Sequence, residues 1–409
     1  MTAAAVAGGG VGAQSRSTTQ GVSPTEIKVA GIQSTPLSFT EATTGVGALA
    51  RFARANKTGE IPGKRKIKIV AWADDKVDPA TTVQEVRRLV QQEGVFALVP
   101  VASTVINDSI PNQSHTPVFG YGMSAAFCSS GDTSYFFGFN GCVTPKDASH
   151  TGDNVVEMKA AVYKEGIVRS GQRIKIAIIG TDSAQEKDVV AQFTAAAKAN
   201  GMTIAYAKAA TPAPPNPILD YTPWVQDMLA TDPDLIVPVG PARDWTGLGK
   251  ALNLTGFTGM YIVPGADPQL AKLIGPSYAW TTWAPNESAD TNPEIKRMLD
   301  DIQAYAPGTN VNLTTSSGWL AADMFVKALQ KTGEKLTSEK LQDVASHMTY
   351  ERKGLIGPTT YPTNYRYTSP SCHAVLKTDG ESGSYSVVEP FSCSPKRYAV
   401  KPYDEIETP

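Results

Sequence analysis

The stretch ADDKVDPATTVQEVRRLV, from Ala73 to Val90, opens with three acids and follows a short apolar run. The apolar run, Ile67–Trp72, predicts a strand. Asp74, Asp75 and Asp78 then form either a carboxylate cluster for metal or acid–base chemistry or the junction between that strand and a helix. The first interpretation predicts an enzyme, and the second does not.

The residues after these acids favour the junction. Apolar side chains recur at helical spacing from Val83 to Val90, which predicts a helix. Asp78 stands directly before Pro79, and aspartate accepts hydrogen bonds from the unpaired N–H groups of a first helical turn, where proline is also tolerated. We therefore interpret Asp78 as the N-cap of this helix, and Asp74 and Asp75 as the end of the strand.

Strand-like and helical stretches alternate along most of the chain, once before about residue 147 and once after it. Further strands are predicted at Ile27–Ile32, Phe96–Val101, Lys175–Ile179, Ile204–Ala207, Leu235–Val239 and Tyr261–Val263. Further helices are predicted at Gly45–Asn56, Asp188–Ala199, Pro223–Ala230, Trp245–Leu252, Glu294–Tyr305 and Gly318–Lys331. This alternation predicts an α/β protein with two parallel sheets covered by helices on both faces.

Composition excludes several functional classes. The 409 residues carry 37 basic and 39 acidic side chains, so no nucleic-acid or anionic-membrane surface is indicated. No apolar run approaches the roughly 20 residues of a membrane helix. Residues 1–24 are small, polar and glycine-rich, which predicts a disordered leader or linker left after an export signal is removed.

Four cysteines fall into two local pairs, Cys128 with Cys142 and Cys372 with Cys393. Two β-like runs between the second pair, separated by a glycine-rich turn, predict a hairpin that brings its cysteines together. Two disulfides would place the protein in an oxidising, extracytoplasmic compartment. Four buried free thiols are the alternative.

The chain lacks the patterns of common catalytic and metal sites. No two of its four histidines have helical ligand spacing, and no Walker loop, dinucleotide fingerprint or kinase motif occurs. The nearest catalytic motif, Gly122-Met123-Ser124-Ala125-Ala126, lacks the final glycine of a nucleophile elbow. We therefore expect no metal, no cofactor and no enzymatic activity.

Small polar residues follow two predicted strands of the first unit. Ser103 and Thr104 follow the strand that ends at Val101, and Gly120–Ser124 follows the apolar pair Val118-Phe119. Ligands of open α/β sheets bind beyond the carboxyl ends of strands, where hydroxyls and free N–H groups suit a polar or anionic group. The sequence therefore predicts a ligand-binding edge here, with ordinary caps and turns as the alternative.

Four segments carry a resemblance to a known family. They are IKVAGIQSTPLS, GALARFARANKTGEIPGKRKIKIVAWADDKVDPATTVQEVRRLV, ALVPVASTVINDSI and TPVFGYGMS. In this order they resemble the Leu/Ile/Val-binding, type I periplasmic solute-binding proteins of branched-chain amino-acid ABC importers. The similarity extends over most of Ile27–Lys331. It implies two Rossmann-like lobes joined by three hinge crossovers.

The resemblance also implies the domain boundaries. Lobe 1 is expected at 25–146 plus 286–333, lobe 2 at 147–285 plus 334–400, and a tail at 401–409. The lobes are expected to close about hinges near Thr144–Ala148, Ala284–Glu287 and Thr332–Leu336.

Carried over residue by residue, the resemblance places Ser103 and Thr104 on a ligand carboxylate. Gly122, Met123 and Ser124 are expected to bind the same group through backbone and hydroxyl. Tyr121, together with Met123 and Trp72, is expected to line an apolar wall.

The second lobe departs from the family pattern. Gln185 lies where an aromatic residue is frequent, and the ammonium-facing tyrosine is replaced near Gly240, beside Arg243. Gly265 stands at the ammonium-binding glutamate, with Asp267 two residues on as a substitute if the alignment slips. We therefore expect poor binding of leucine, isoleucine or valine and a ligand with an acidic or oxygen-rich end near Arg243. The alternative is that Arg243 and Asp244 merely pair at a helix start.

The resemblance implies a monomeric solute-binding protein, peripheral to the membrane, that delivers a small polar or carboxylate-bearing molecule to ABC permease subunits. It also implies an extracytoplasmic location, with a lipid anchor in the full-length precursor. A sensor of the same fold that signals to a partner protein is the alternative.

Overall fold

The computed structural model describes residues 19–35, 43–128, 133–143, 150–213, 216–363 and 371–406. Within them the two predicted α/β units are present, each with its own sheet and with cores on both sheet faces. Residues 1–18 of the predicted leader lie outside this description. Residues 19–24 belong to the folded protein, because Gln20 donates hydrogen bonds to the carbonyls of Val90 (2.9 Å) and Val95 (3.1 Å).

Lobe 1 contains a five-stranded parallel sheet in the order β2-β1-β3-β4-β5. Its strands are β1 (Glu26–Gln33), β2 (Lys66–Asp74), β3 (Ala97–Ala102), β4 (Val118–Gly120) and β5 (Phe136–Gly138). The strand β3 is buried along its whole length, as expected for a central strand covered on both faces.

Helices pack on both faces of this sheet. They are α1 (Thr44–Thr58), α2 (Pro79–Arg87), α3 (Ser109–Gln113), α9 (Pro293–Tyr305), α10 (Leu313–Thr332) and α11 (Ser338–Ser346). The predicted N-cap of α2 is confirmed, because the Asp78 carboxylate accepts the backbone N–H of Thr81 at 2.6 Å. The helix α10 is almost entirely buried and packs against α1, β3 and β4.

Close packing explains the small residues where α1 meets α10. A Cβ atom on Gly47 would lie 1.9 Å from the carbonyl oxygen of Thr315, and one on Gly318 would lie 1.9 Å from that of Thr44. Glycine at both positions lets the two backbones touch. The buried start of α10 is satisfied by Asn312, whose side chain accepts two backbone N–H groups of the first turn.

Lobe 2 contains a seven-stranded sheet in the order β15-β14-β11-β10-β9-β7-β8, in which β14 runs antiparallel to both of its neighbours, β11 and β15. Its strands are β7 (Lys175–Thr181), β8 (Thr203–Thr211), β9 (Leu235–Pro238), β10 (Met260–Pro264), β11 (Ser277–Thr281), β14 (Ser371–Thr378) and β15 (Tyr385–Ser394). Its helices are α4 (Val156–Lys164), α5 (Ala184–Ala199), α6 (Thr222–Leu229), α7 (Ala242–Asn253) and α8 (Pro268–Ile274).

Two small β-pairs complete the structure. Strands β12 (Thr349–Arg352) and β13 (Ile356–Thr360) form a hairpin, and β6 (His150–Gly152) pairs with β16 (Arg397–Ala399). The predicted tail packs on lobe 2 as far as it is described, because the Tyr403 hydroxyl accepts the backbone N–H of Ala209 at 2.8 Å.

The third crossover lies later in the chain than expected. Residues 334–361 were assigned to lobe 2, but α11 packs against α10, and Tyr350 and Tyr361 lie in the lobe 1 core. The chain therefore returns to lobe 2 between residue 361 and β14, and the hinge expected at Thr332–Leu336 is inside lobe 1. The second crossover follows β11, close to the expected Ala284–Glu287, and Thr144–Ala148 of the first lies outside the described residues.

A buried ion network holds the β12–β13 hairpin on lobe 1. The fully buried Asp323 carboxylate pairs with the guanidinium groups of Arg51 (2.7 Å) and Arg352 (2.8 Å). Glu60 pairs with Arg51 (2.6 Å) and Glu294 with Arg352 (3.0 Å). These cations outweigh the burial of the carboxylate and lower the pKa of Asp323 to about 2.

Both predicted disulfides are confirmed. Cys128 is bonded to Cys142, and Cys372 to Cys393 across the β14–β15 hairpin. A Cβ atom on Gly357 would lie 2.1 Å from the Cys372 sulfur, so β13 of lobe 1 rests on this bridge of lobe 2. Each disulfide thus lies beside a crossover.

Candidate functional site

The acids of the quoted stretch connect three loops of lobe 1. Asp75 is fully buried, and its carboxylate accepts hydrogen bonds from the hydroxyls of Ser34 (2.5 Å) and Ser103 and from a backbone N–H at 3.0 Å. Asp74 accepts the backbone N–H groups of Thr35 and Lys76, both at 3.0 Å. These carboxylates have protein partners, so the junction interpretation holds.

Ser103 lies in the turn after β3, and its hydroxyl is used within the protein. It donates to Asp75 and accepts the backbone N–H groups of Val105 (3.3 Å) and Ile106 (3.0 Å), and its side chain is fully buried. Ser103 thus has a structural role in this turn, and its predicted contact with a ligand stays a prediction. Thr104 is half-buried in the same turn.

The turn after β4 has the features of a binding loop. The N–H of Gly122 donates to the side chain of Asn140 (2.9 Å), and a Cβ atom on Gly122 would lie 1.8 Å from the carbonyl oxygen of Gly141. This position therefore requires glycine. Ser124 is buried, and its hydroxyl has no hydrogen-bond partner among the described residues. A polar atom in that condition is available to a ligand or water.

Aromatic side chains lie behind this turn. Tyr121 stacks on Phe139, with ring centroids 5.4 Å apart, and meets Trp283 edge-on at 6.0 Å. Burial raises the pKa of Tyr121 to about 12, so its hydroxyl stays protonated. The predicted wall residue Trp72 packs over Gly31, where a Cβ atom would lie 1.8 Å from its ring.

Gln185 of lobe 2 reaches lobe 1. Its side-chain N–H donates to the carbonyl oxygen of Met123 at 3.2 Å. Met123 follows β4 and Gln185 follows β7, so the carboxyl ends of strands from the two sheets face each other here. The two lobes also come close together at Gly265, which follows β10. A Cβ atom on Gly265 would lie 3.2 Å from the side chain of Leu313 in lobe 1.

Arg243 is engaged by its own lobe. Its guanidinium donates to the carbonyl oxygens of Pro212 and Asn216 (2.7 Å) and to the carboxylate of Asp244 (3.0 Å). These bonds give Arg243 a structural role in fixing the loop after β8, and its expected role toward an acidic ligand stays a prediction. Asp244 is itself buried and also accepts the hydroxyl of Tyr221 at 2.8 Å.

Asp267 is the N-cap of α8. Its carboxylate accepts the backbone N–H groups of Gln269 (2.8 Å) and Leu270 (3.2 Å). Tyr385 holds the same turn, with its hydroxyl donating to the Asp267 carbonyl oxygen at 3.2 Å. The carboxylate is thus used at the helix start, as the Asp-Pro pair in the sequence indicates.

Glu186 is an acid at this edge that the sequence analysis missed. Its carboxyl carbon lies 3.7 Å from the position of a Cβ atom on Gly240, so it covers the turn after β9. Burial and the negative charge of Asp244 raise the pKa of Glu186 to about 7. The available signal was its place in the first turn after a strand, next to Gln185.

A cleft of about 240 Å³ opens between the lobes beside the second crossover. Lobe 1 contributes Val311 and Leu313, the crossover contributes Trp283, and lobe 2 contributes Ala266 and Tyr385. A molecule bound here would touch both lobes and the segment between them.

Among the described residues, no three His, Cys, Asp or Glu side chains are grouped to hold a metal ion. The helices within the described ranges include none that is long and apolar enough to cross a membrane.

Comparisons with known proteins agree with this architecture. The sequence profile of the periplasmic binding protein family matches residues 26–381. No curated protein matches the chain. Solved structures with the same fold include a fatty acid ABC transporter substrate-binding protein from Thermomonospora curvata, at 16% identity and a TM-score of 0.71, covering 96% of this chain and 97% of that one.

Two further structures have bound ligands. One is a branched-chain amino acid ABC transporter protein from Thermus thermophilus with valine, at 16% identity and a TM-score of 0.67, covering 91% of this chain and 97% of that one. The other is an ABC transporter solute-binding protein from R. palustris with 4-hydroxybenzoate, at 19% identity and a TM-score of 0.65, covering 92% and 98%.

Proposed function

Because the chain belongs to the periplasmic binding protein family, we propose that it binds one small polar molecule between its lobes and delivers it to the permease of an ABC importer. The observation that carries this proposal is the approach of strand ends from two separate sheets, joined by the Gln185–Met123 hydrogen bond. Ligands of open α/β sheets bind at such edges.

The solved relatives support transport more than any one ligand. Their named ligands are valine and 4-hydroxybenzoate, and one is named as a fatty acid transporter protein. These molecules share little chemistry, whereas the three proteins share the fold and a connection to ABC transport. The ligand of this chain therefore has to be inferred from its own site.

The two disulfides support an extracytoplasmic protein, since cytosolic thiols are kept reduced. We place the protein outside the cytoplasm as a monomer, peripheral to the membrane that holds the permease. Binding without chemical conversion fits a site whose acids mostly cap helices and close turns.

The proposed ligand contacts lie on both lobes. On lobe 1 they are Thr104, Tyr121 and the Gly122–Ser124 turn. On lobe 2 the contact is Gln185, whose side-chain amide donates to the carbonyl oxygen of Met123. When a ligand binds, this amide either bonds to the ligand instead or keeps its bond to Met123 and holds the lobes closed around the ligand.

Mass spectrometry of whatever co-purifies with the protein identifies the ligand, and calorimetry on ligand-stripped protein measures its affinity. We expect Ser124→Ala to weaken binding about fivefold, because one buried hydrogen bond contributes about 1 kcal/mol. Ser114→Ala, on the exposed surface after α3, is the matched control. Ligand uptake by vesicles containing the cognate permease supports transport. Binding to a partner protein without uptake favours a sensor, and turnover of the ligand refutes both.

A further inference from the structure

The cleft beside the second crossover is lined by one acidic side chain and by no basic one among the described residues. No lysine, arginine or histidine is among the described residues that line it. Its acid is Glu287, which follows the crossover, and desolvation raises the pKa of this carboxyl group. The cleft therefore offers a carboxylate a partner of the wrong sign.

Aromatic and neutral polar groups form the rest of the wall. Trp283 and Tyr385 contribute ring surface, and Asn286 and Asn310 contribute amides. The ring of Tyr385 is held in place because its hydroxyl is bonded to the backbone of Asp267. An acid next to aromatic rings is the arrangement that recognises organic ammonium groups.

The adjoining edge of lobe 2 also carries acidic rather than basic groups that could meet a ligand. Glu186 covers the turn at Gly240, and burial together with Asp244 raises its pKa to about 7. Arg243, the cation expected to meet a ligand, is bonded to two carbonyl oxygens and to Asp244. A positive charge on a ligand at this edge would stabilise the ionised form of Glu186.

We propose that the cleft binds a small organic cation, with Glu287 as its counter-ion and the rings of Trp283 and Tyr385 as its apolar wall. This inference rests on the proposed solute-binding function and names the ligand class, since the cleft adjoins the proposed contacts where the ring of Trp283 meets that of Tyr121 at 6.0 Å. The volume of about 240 Å³ suits a small ligand, since pockets for drug-sized molecules span about 300–1,000 Å³. A carboxylate ligand would be desolvated beside Glu287 without a cation to pair with.

Three probes of one shape test the charge requirement. Choline, 3,3-dimethylbutanol and 3,3-dimethylbutyrate differ in charge at nearly constant volume. Each is added to ligand-stripped protein, and the thermal midpoint and the calorimetric affinity are measured, since a ligand that binds the folded state raises the midpoint. We expect choline to bind, the neutral alcohol to bind about tenfold more weakly and the carboxylate to bind weakest.

Glu287→Gln removes the charge while keeping the shape of the side chain, and we expect it to reduce choline binding about tenfold and to erase the preference over the alcohol. Glu334→Gln is the control, because Glu334 follows the C-terminal end of α10, about 30 Å from the start of that helix at the cleft.

Failure of choline to bind, equal or tighter binding of 3,3-dimethylbutyrate, or unchanged affinity in Glu287→Gln each overturns the inference. None of these outcomes affects the proposed function, which fails instead if no co-purified or added small molecule binds and is taken up by the permease.

Discussion

At the scale of single residues, Asp323 is the clearest case of a side chain that cannot be replaced. It is fully buried between two guanidinium groups, one from α1 and one from β12. We expect Asp323→Asn to lower the free energy of unfolding by about 3–5 kcal/mol, because Arg51 and Arg352 would lose their fully buried counter-charge and keep only the partly exposed Glu60 and Glu294. Urea denaturation measures the change.

Asp300→Asn is the matched control, since Asp300 forms an exposed helical ion pair with Lys296 (2.8 Å) and should change stability by no more than about 0.5 kcal/mol. The pKa of Asp323 of about 2 adds a pH signature: its contribution is complete above the ordinary value of 3.8 and is lost as the pH falls through about 2. An equal decrease in the free energy of unfolding in the two variants would show that the buried network stabilises the protein no more than an exposed ion pair does.

Glu157 and His373 form a second buried pair, with 3.8 Å between Oε2 and Nδ1. Burial raises the pKa of Glu157 to about 7 and lowers that of His373 to about 4. The contribution of Glu157 to the free energy of unfolding is complete below its ordinary pKa of 4.5 and is lost as the pH rises through about 7. The contribution of His373 is complete above its ordinary pKa of 6.5 and is lost as the pH falls through about 4. Between these ordinary values the two slopes oppose each other.

We therefore expect the wild-type unfolding free energy to be nearly flat between pH 4.5 and 6.5 in this respect, and Glu157→Gln to introduce a rise with pH over that window. Ser392, which donates to Glu157 at 2.6 Å, can bond to the glutamine in the same way. Denaturation series at several pH values measure the slope, and parallel curves for the two proteins would contradict the assignment.

Single-residue roles were predictable where a local rule was sufficient. Asp78 was identified as an N-cap from its proline neighbour alone. The hydrogen bonds of Ser103 to Asp75 and of Arg243 to loop carbonyl oxygens were not predictable, because they depend on tertiary contacts. Glu186 was missed because its covering of Gly240 depends on how two strands and a helix meet.

At the scale of helices and strands, the periodicity of apolar residues predicted that an element exists better than it predicted where the element begins and ends. The predicted helix Gly318–Lys331 begins earlier in the structure, at Leu313. The prediction missed the first turn because its buried threonines and serines show no apolar period. The hairpin β12–β13 was missed because its strands are only four and five residues long and the second contains Gly357 and Pro358, which are unfavourable in a strand.

The β14–β15 hairpin gives a test at this scale. We expect the double variant Cys372→Ala, Cys393→Ala to lose about 3 kcal/mol of stability, because the bridge closes a loop of 21 residues in the unfolded chain. Cys128→Ala, Cys142→Ala, with a separation of 14, should lose slightly less. Denaturant titrations measure both losses.

Thiol counting on unfolded, unreduced wild-type protein is the companion measurement, and no reactive thiol is expected. Any free thiol in that assay would mean that the bridges do not form in solution.

At the scale of the whole molecule, the Gln185–Met123 hydrogen bond joins the two lobes at the proposed site. We expect Gln185→Ala to shift the unliganded protein toward an open form with a larger radius of gyration, while each lobe keeps its fold. Ligand should reduce the radius of the wild type, as hinge closure requires. Small-angle scattering measures both changes.

Gln92→Ala, an exposed glutamine of lobe 1, serves as the control and should leave the radius unchanged. A radius that does not respond to saturating ligand in the wild type would argue against closure.

The number of lobes was predictable, but the lobe to which residues 334–361 belong was not. Alternation of strands and helices predicted two α/β units, and both are present. The boundary at 333/334 was misplaced, because nothing in the local pattern shows that Arg352 pairs with Asp323 or that Tyr350 enters the lobe 1 core. Contacts between distant segments decide such boundaries.

The interleaving of the lobes has a consequence for biosynthesis. Lobe 1 is closed by α9, α10 and the β12–β13 hairpin, which follow β7–β11 of lobe 2 in the chain, so its core waits for segments near the C-terminus. Domains usually fold as they emerge from the ribosome, N-terminal part first. Here lobe 1 can complete its core only after most of lobe 2 has been synthesised, and a nascent chain whose first lobe is still incomplete is one that a translocation channel can still thread.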